Sequence, residues 1–86
     1  MRIGEIVVSL CGRDSDRIFV VVGLEGGYAL LCDGKLRRIE NPKRKKLKHI
    51  KSLGVVDEDL SLKIASGEKL LNAEYKKCLA RFRAEH

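Results

Sequence analysis

The sequence of 86 residues has few aromatic residues and almost no proline. It contains two Phe, two Tyr, no Trp and one Pro, which argues against an extended base-stacking platform or a large aromatic pocket. The longest apolar run, residues 18–24, is far shorter than the roughly 18–20 residues that a membrane-spanning helix needs. The first residues lead directly into a strand pattern, without the apolar core of a signal peptide. We therefore expect a single-domain, cytoplasmic protein without a membrane partner.

The three cysteines lack the spacing of a disulfide framework or a metal site. Cys11, Cys32 and Cys78 are far apart, their number is odd, and no Cys-x-x-Cys or paired-histidine spacing occurs. Nothing in the spacing joins His49 to them. We expect each cysteine to be a small core or edge residue in a reducing compartment, and we expect neither a metal nor another cofactor.

Positive charge is concentrated in one short segment. The chain carries a net charge of +6, but residues 35–51 alone carry +8, residues 1–34 carry −2 and residues 52–86 are neutral. A field of this kind attracts polyanions such as RNA, DNA or an anionic membrane surface. A solvated basic loop that only maintains solubility is the simpler interpretation. We favour a binding surface because the other two segments have no such excess.

The first part of the chain has the residue pattern of β-strands. Apolar residues alternate over residues 6–11, which predicts a first strand. Residues 18–24 are apolar on both faces and rich in β-branched side chains, as in a buried central strand. A third strand is predicted over residues 28–32, after the turn at Gly26-Gly27.

Turn residues predict two further strands. Asp33-Gly34 is a two-residue hairpin signal that leads to a fourth strand over residues 35–39, which ends at Pro42. The basic run over residues 43–48 is then an exposed loop, and residues 49–53 form a short fifth strand. Five short, closely connected strands predict a mainly-β fold, a small barrel that closes to hide its edges.

The C-terminal part has the periodicity of helices. Apolar residues spaced by four predict a short helix, which Asp57 or Asp59 caps and which stops at Gly67. Asn72 is the candidate N-cap of a second helix. Its apolar stripe consists of Tyr75, Cys78, Leu79 and Phe82. We expect residues 54–86 to pack on the barrel of residues 1–53 within one structural domain.

The sequence contains no convincing catalytic constellation. Asp14 and Asp16 are paired carboxylates in a turn, and the acids after residue 56 complement a helix dipole. Ser15 and Cys11 have no base nearby, and Gly26-Gly27 lacks the spacing of a phosphate-binding loop. We therefore predict that the protein is not an enzyme.

Residues 4–22 resemble a KOW motif, with an opening glycine, an alternating strand, a turn and an apolar strand. Together with residues 32–38 and 41–50, they resemble the bacterial KOW-domain RNA-binding proteins. That family is similar to the KOW-bearing large-subunit ribosomal proteins of archaea and eukaryotes. The resemblance covers about residues 3–53. Asp16 stands where the motif has its second glycine.

The resemblance implies an SH3-like barrel that binds RNA, ribosomal RNA in particular, with ribosomal proteins as further partners. Independently, Lys and Arg side chains neutralise phosphates, and Arg also forks to phosphate or to a guanine edge. Because exposed rings are scarce, we expect recognition of the shape and backbone of structured RNA. The candidate RNA-binding residues are Arg13, Arg17, Lys35, Arg37, Arg38, Lys43, Arg44, Lys45, Lys46, Lys48 and His49.

Two other functions remain open from the sequence. An SH3-like module that binds proteins needs clustered surface aromatics, and Tyr28 is the one ring expected at the surface. DNA binding uses the same electrostatics as RNA binding. The sequence leaves the oligomeric state undetermined.

Overall fold

The computed structural model describes all residues, 1–86. They form five strands, one short 3-10 helix and two α-helices. In chain order they are β1 (Glu5–Ser9), β2 (Ile18–Glu25), β3 (Tyr28–Cys32), β4 (Lys43–Lys46), the 3-10 helix (Leu47–His49), β5 (Ile50–Val56), α1 (Glu58–Ala65) and α2 (Asn72–Glu85). The predicted mainly-β fold with C-terminal helices is therefore confirmed. Neither helix combines the length and the apolar composition that crossing a membrane requires.

All five strands belong to one antiparallel sheet with the order β4-β3-β2-β1-β5. The first three strands are neighbours both along the chain and in the sheet, whereas β5 returns to pair with β1. β4 and β5 lie at opposite edges and do not pair with each other. The sheet is open, so the predicted closure into a barrel is not confirmed.

The two faces of the sheet are covered in different ways, because successive residues of a strand point to opposite sides. On one face, Ile6 and Val20 pack against buried residues of the helical segment, including Leu60 and Tyr75. On the other face, Phe19 belongs to a second buried cluster, which consists of strand residues with Leu47 of the 3-10 helix packed against it. Register shifts in the β1–β5 and β2–β3 pairs mark irregularities that bend strands.

The segment after β3 is a loop, and the fourth strand predicted over residues 35–39 is wrong. Asp33 Oδ1 accepts hydrogen bonds from the backbone N–H groups of Lys35 and Arg37, at 2.9 and 2.8 Å. These bonds form a local turn in place of a two-residue hairpin. β4 begins after Pro42, so the basic run predicted as an exposed loop is an edge strand and the 3-10 helix that follows it.

Gly34 is required in this long loop because α2 begins directly against it. Its φ is +77°, and a Cβ atom at this position would collide with the backbone carbonyl oxygen of Asn72. The sequence predicts a positive φ here, and this is confirmed. The hairpin predicted at Asp33-Gly34 is wrong, because the loop packs against the start of α2 instead of turning back into a strand.

The two helices begin at different kinds of residue. Asp57 caps α1, and its Oδ1 accepts the backbone N–H of Leu60 at 3.0 Å, as predicted. The N-cap predicted for α2 is wrong by one residue, since Leu71 occupies it and Asn72 is the first helical residue. The Asn72 Oδ1 instead accepts the backbone N–H of Ile39 at 2.7 Å. This bond fastens the long loop to α2.

The apolar stripe of α2 packs on the sheet as predicted, with Tyr75, Cys78 and Leu79 buried. Burial also raises the pKa of the Tyr75 hydroxyl to about 12. The boundary predicted after residue 53 falls inside β5, which continues to Val56. The helical segment therefore begins at Asp57, the N-cap of α1, directly after β5 ends.

Candidate nucleic-acid interface

Strand alternation divides the basic residues of β4 between two sides of the sheet. Lys43 and Lys45 pair in register with buried residues of β3 and lie on the inward side. Arg44 and Lys46 lie on the outward side and are exposed. The four charges that stand side by side in the sequence therefore do not form one surface.

Lys45 is buried, with 8% of its surface exposed. Its Nζ lies 2.6 Å from Oδ1 of Asp14 and 2.6 Å from the backbone carbonyl oxygen of Cys11. The hydroxyl of Ser9, a fully buried residue, lies 2.9 Å from the same carboxylate oxygen. The expectation that Lys45 is exposed on a loop is wrong, because its ammonium group is used inside the fold.

The Asp14 carboxylate holds its negative charge in this setting. Burial acts to raise the pKa of Asp14, but hydrogen bonds from Lys45 and Ser9 outweigh it and hold the pKa below its ordinary value of 3.8. The second oxygen, Oδ2, is buried without a hydrogen-bond partner. The ion pair fastens the loop between β1 and β2, which carries Arg13 and Arg17, to β4.

Four cations converge beside this buried pair, and none of them has a carboxylate within ion-pairing distance. Two loops and β4 contribute them to the lining of a cleft of about 350 Å³, here called the basic cleft: Arg13, Arg17, Arg37 and Lys43. Asp14 is the one acidic residue in its lining, and Lys45 neutralises it. The basic cleft therefore presents net positive charge to an anionic group.

The outward side of β4 is organised around a ring. The guanidinium carbon of Arg44 lies 3.7 Å from the centre of the Tyr28 ring, and Arg44 Nε is 3.6 Å from a Glu25 carboxylate oxygen. Tyr28, expected at the surface, is half-buried. Because Arg44 covers one face of the ring, Tyr28 does not offer the open aromatic groove on which proline-rich peptides dock.

The other candidate residues lie apart from the basic cleft. Lys48 and His49 belong to the 3-10 helix before β5. Arg38 lies on the long loop and pairs with Glu40 at 3.6 Å. Lys35 lines a second cleft, on the side of the loop that faces α2.

Two features of the candidate interface were not predicted from the sequence. It did not assign Asp14 a partner, and it left Lys76 and Arg83 of α2 out of the site, although both line a cleft together with Lys35. In the sequence these two cations look like the solvated face of an amphipathic helix. Only the packing of α2 beside the long loop brings them close to Lys35.

Two of the three cysteines are buried in the fold. Cys32 and Cys78 are buried, whereas Cys11 is exposed just beyond β1. Burial raises the pKa of Cys32 to about 11 and that of Cys78 to about 12, so both are protonated thiols at neutral pH. No group of three or more His, Cys, Asp or Glu side chains lies close enough to hold a metal ion.

Comparisons with known proteins do not assign the chain to a family. A scan against protein-family models and a search of curated proteins each found no match. The resemblance to KOW-domain proteins therefore stays a prediction. We infer the function from the basic cleft and its surroundings.

Proposed function

We propose that this chain binds structured RNA without catalysing a reaction, and that the basic cleft holds the phosphate backbone. The observation that carries the proposal is the convergence of four cations without carboxylate partners, beside a carboxylate that is already neutralised. Three of the four are arginines, whose planar guanidinium groups bind phosphate through two parallel N–H bonds. Contacts of this kind position the protein on the backbone and read little sequence.

The fold is consistent with the KOW resemblance on which the proposal also draws. A five-stranded antiparallel sheet of short strands, with a 3-10 helix before the last strand, is compatible with an SH3-like architecture. Asp16, at the position of the motif's second glycine, has a φ of +70°, a conformation that glycine adopts most easily and that Asp tolerates. On this proposal the partner is ribosomal RNA in the cytoplasm.

Two matched double variants test the proposal. Arg37→Ala with Lys43→Ala removes one Arg and one Lys from the basic cleft, and Arg44→Ala with Lys46→Ala removes the same residue types from the outward side. Both lower the net charge equally. We expect the cleft variant to weaken binding of a structured RNA about tenfold or more, while the outward variant weakens it less. The slope of log affinity against log salt should fall by about 0.7–0.9 for each phosphate that the variant no longer neutralises.

Fluorescence anisotropy of a labelled RNA hairpin at several salt concentrations measures both quantities, and thermal melting verifies folding. Lys45 stays in place in both variants, because removing it would mix a loss of binding with a loss of stability. Equal losses of affinity in the two variants would contradict the proposal. Co-sedimentation with ribosomal subunits at low and high salt tests the ribosomal partner separately.

A further inference from the structure

A second cleft lies directly beside the basic cleft, and Arg17 and Leu36 line both. Its volume is about 740 Å³, and its walls are the loop between β1 and β2, the long loop before β4 and the C-terminal end of α2. The two clefts therefore meet at Arg17 and Leu36.

The charges of the second cleft are nearly balanced, unlike those of the basic cleft. Arg17, Lys35 and Arg83 face two carboxylates, Asp16 and Asp33. A carboxylate repels a phosphate group but accepts hydrogen bonds from the N–H donors on the edge of a nucleobase. The mixed lining therefore suits a base better than it suits the backbone.

One wall of the second cleft is a stacked pair of rings. The ring centres of Phe82 and His86 are 4.7 Å apart, and the ring planes meet at 23°. The backbone N–H of His86 donates to the carbonyl of Phe82 at 2.9 Å, so helical spacing holds the two rings one above the other. Phe82 is anchored because it packs against the buried cluster that contains Ile6, Val20 and Tyr75, whereas His86 is exposed. An anchored, partly exposed stack is a surface on which a nucleobase stacks regardless of its identity.

We propose that the second cleft holds one unpaired nucleotide of the RNA whose backbone lies in the basic cleft, with its base stacked on the Phe82–His86 pair. This inference rests on the proposed function and deepens it, because it assigns a bulge or loop nucleotide to a defined place. Arg17, shared by the two clefts, joins the phosphate contacts to the base.

Two RNA hairpins that differ by one nucleotide test the inference. One has a fully paired stem, and the other carries a single bulged 2-aminopurine. We expect the protein to bind the bulged hairpin about tenfold more tightly than the paired one, because stacking of one base on an aromatic side chain contributes about that much affinity. The 2-aminopurine fluorescence should change on binding. His86→Ala should remove both effects without weakening binding of the paired hairpin. The control variant is Lys77→Ala. Lys77 is exposed on α2 and lines neither cleft, so this variant should keep both effects.

The outcomes separate this inference from the proposed function. Equal affinities for the two hairpins, with binding intact, would overturn the inference and leave the proposed function standing. A preference for the bulge that survives in His86→Ala would also overturn the inference, because the base would then lie elsewhere. Failure to bind either hairpin would overturn the proposed function itself.

Discussion

Lys45 and Lys46 are neighbours on opposite sides of β4 and are the same type of residue, but they differ in burial and in pairing. On the inward side, Lys45 is buried and its ammonium group is bound by Asp14 and by the Cys11 carbonyl. On the outward side, Lys46 is exposed and has no carboxylate partner. The difference shows that a basic run in the sequence does not indicate which of its charges are free to contact a partner.

The buried charge explains how the basic cleft is assembled. Burying an ammonium group is costly unless it is paired and hydrogen-bonded. Asp14 satisfies Lys45, and this contact holds the β1–β2 loop at the edge strand. Arg13 and Arg17 therefore stand close to Lys43. We infer that Lys45 positions the cleft, whereas on the proposed function Arg13, Arg17, Arg37 and Lys43 supply the charge that contacts RNA.

We expect the largest effect on stability from breaking the buried ion pair between Lys45 and Asp14 on the inward side of β4. Lys45→Ala leaves the Asp14 carboxylate largely buried without its counter-charge, so we expect the free energy of unfolding to fall by about 2–4 kcal/mol. The matched control on the outward side, Lys46→Ala, should change it by less than about 0.5 kcal/mol. Urea denaturation measures both. Equal effects would show that the inward side has no special structural role.

Acid should remove the stabilisation that the Asp14–Lys45 ion pair contributes on the inward side of β4. The pKa of Asp14 in the folded protein lies below its ordinary value of 3.8, so its ionised form stabilises the fold above that pH. This contribution is lost as the pH falls through the lower folded-state pKa. We therefore expect the difference in unfolding free energy between wild type and Asp14→Asn to shrink below pH 3.8, while Lys46→Ala runs parallel to wild type. A difference that stays constant from neutral to acidic pH would contradict this expectation.

On the outward side, we expect a much smaller effect at Arg44 than at Lys45. Arg44→Ala removes the contact with the Tyr28 ring and an ion pair to Glu25 in which both side chains are more than half exposed. Exposed cation–π contacts and surface ion pairs are each weak. We expect the free energy of unfolding to fall by about 0.5–1 kcal/mol, measured by urea denaturation. A decrease as large as that of Lys45→Ala would erase the distinction between the two sides.

Local pattern is sufficient wherever neighbouring residues decide the structure. The third strand has the ends that the sequence predicts, and the buried residues of α2 belong to its predicted apolar stripe. The predicted fourth strand is misplaced because Asp33-Gly34 is a strong hairpin signal on its own. The positive φ of Gly34 instead serves the close approach of Asn72, a residue of α2 that no local pattern links to it.

The candidate site is predictable in part, for a similar reason. Arg13, Arg17, Arg37 and Lys43 are all among the candidate residues and converge in one cleft. Lys45 is grouped with them in the sequence, because composition does not distinguish a lysine that contacts solvent from one that a carboxylate 31 residues away neutralises.

By itself, the sequence determined the antiparallel strands before Asp33, the two C-terminal helices and the concentration of positive charge in one segment. Each of these depends on residues that are close together in the chain. Only the tertiary structure decided that the basic run is an edge strand, which of its cations are buried, and that α2 lies beside the long loop. These features depend on the pairing of β4 with β3 and on the packing of α2 against the sheet. Residues far apart in the sequence set both, so neither leaves a local signal.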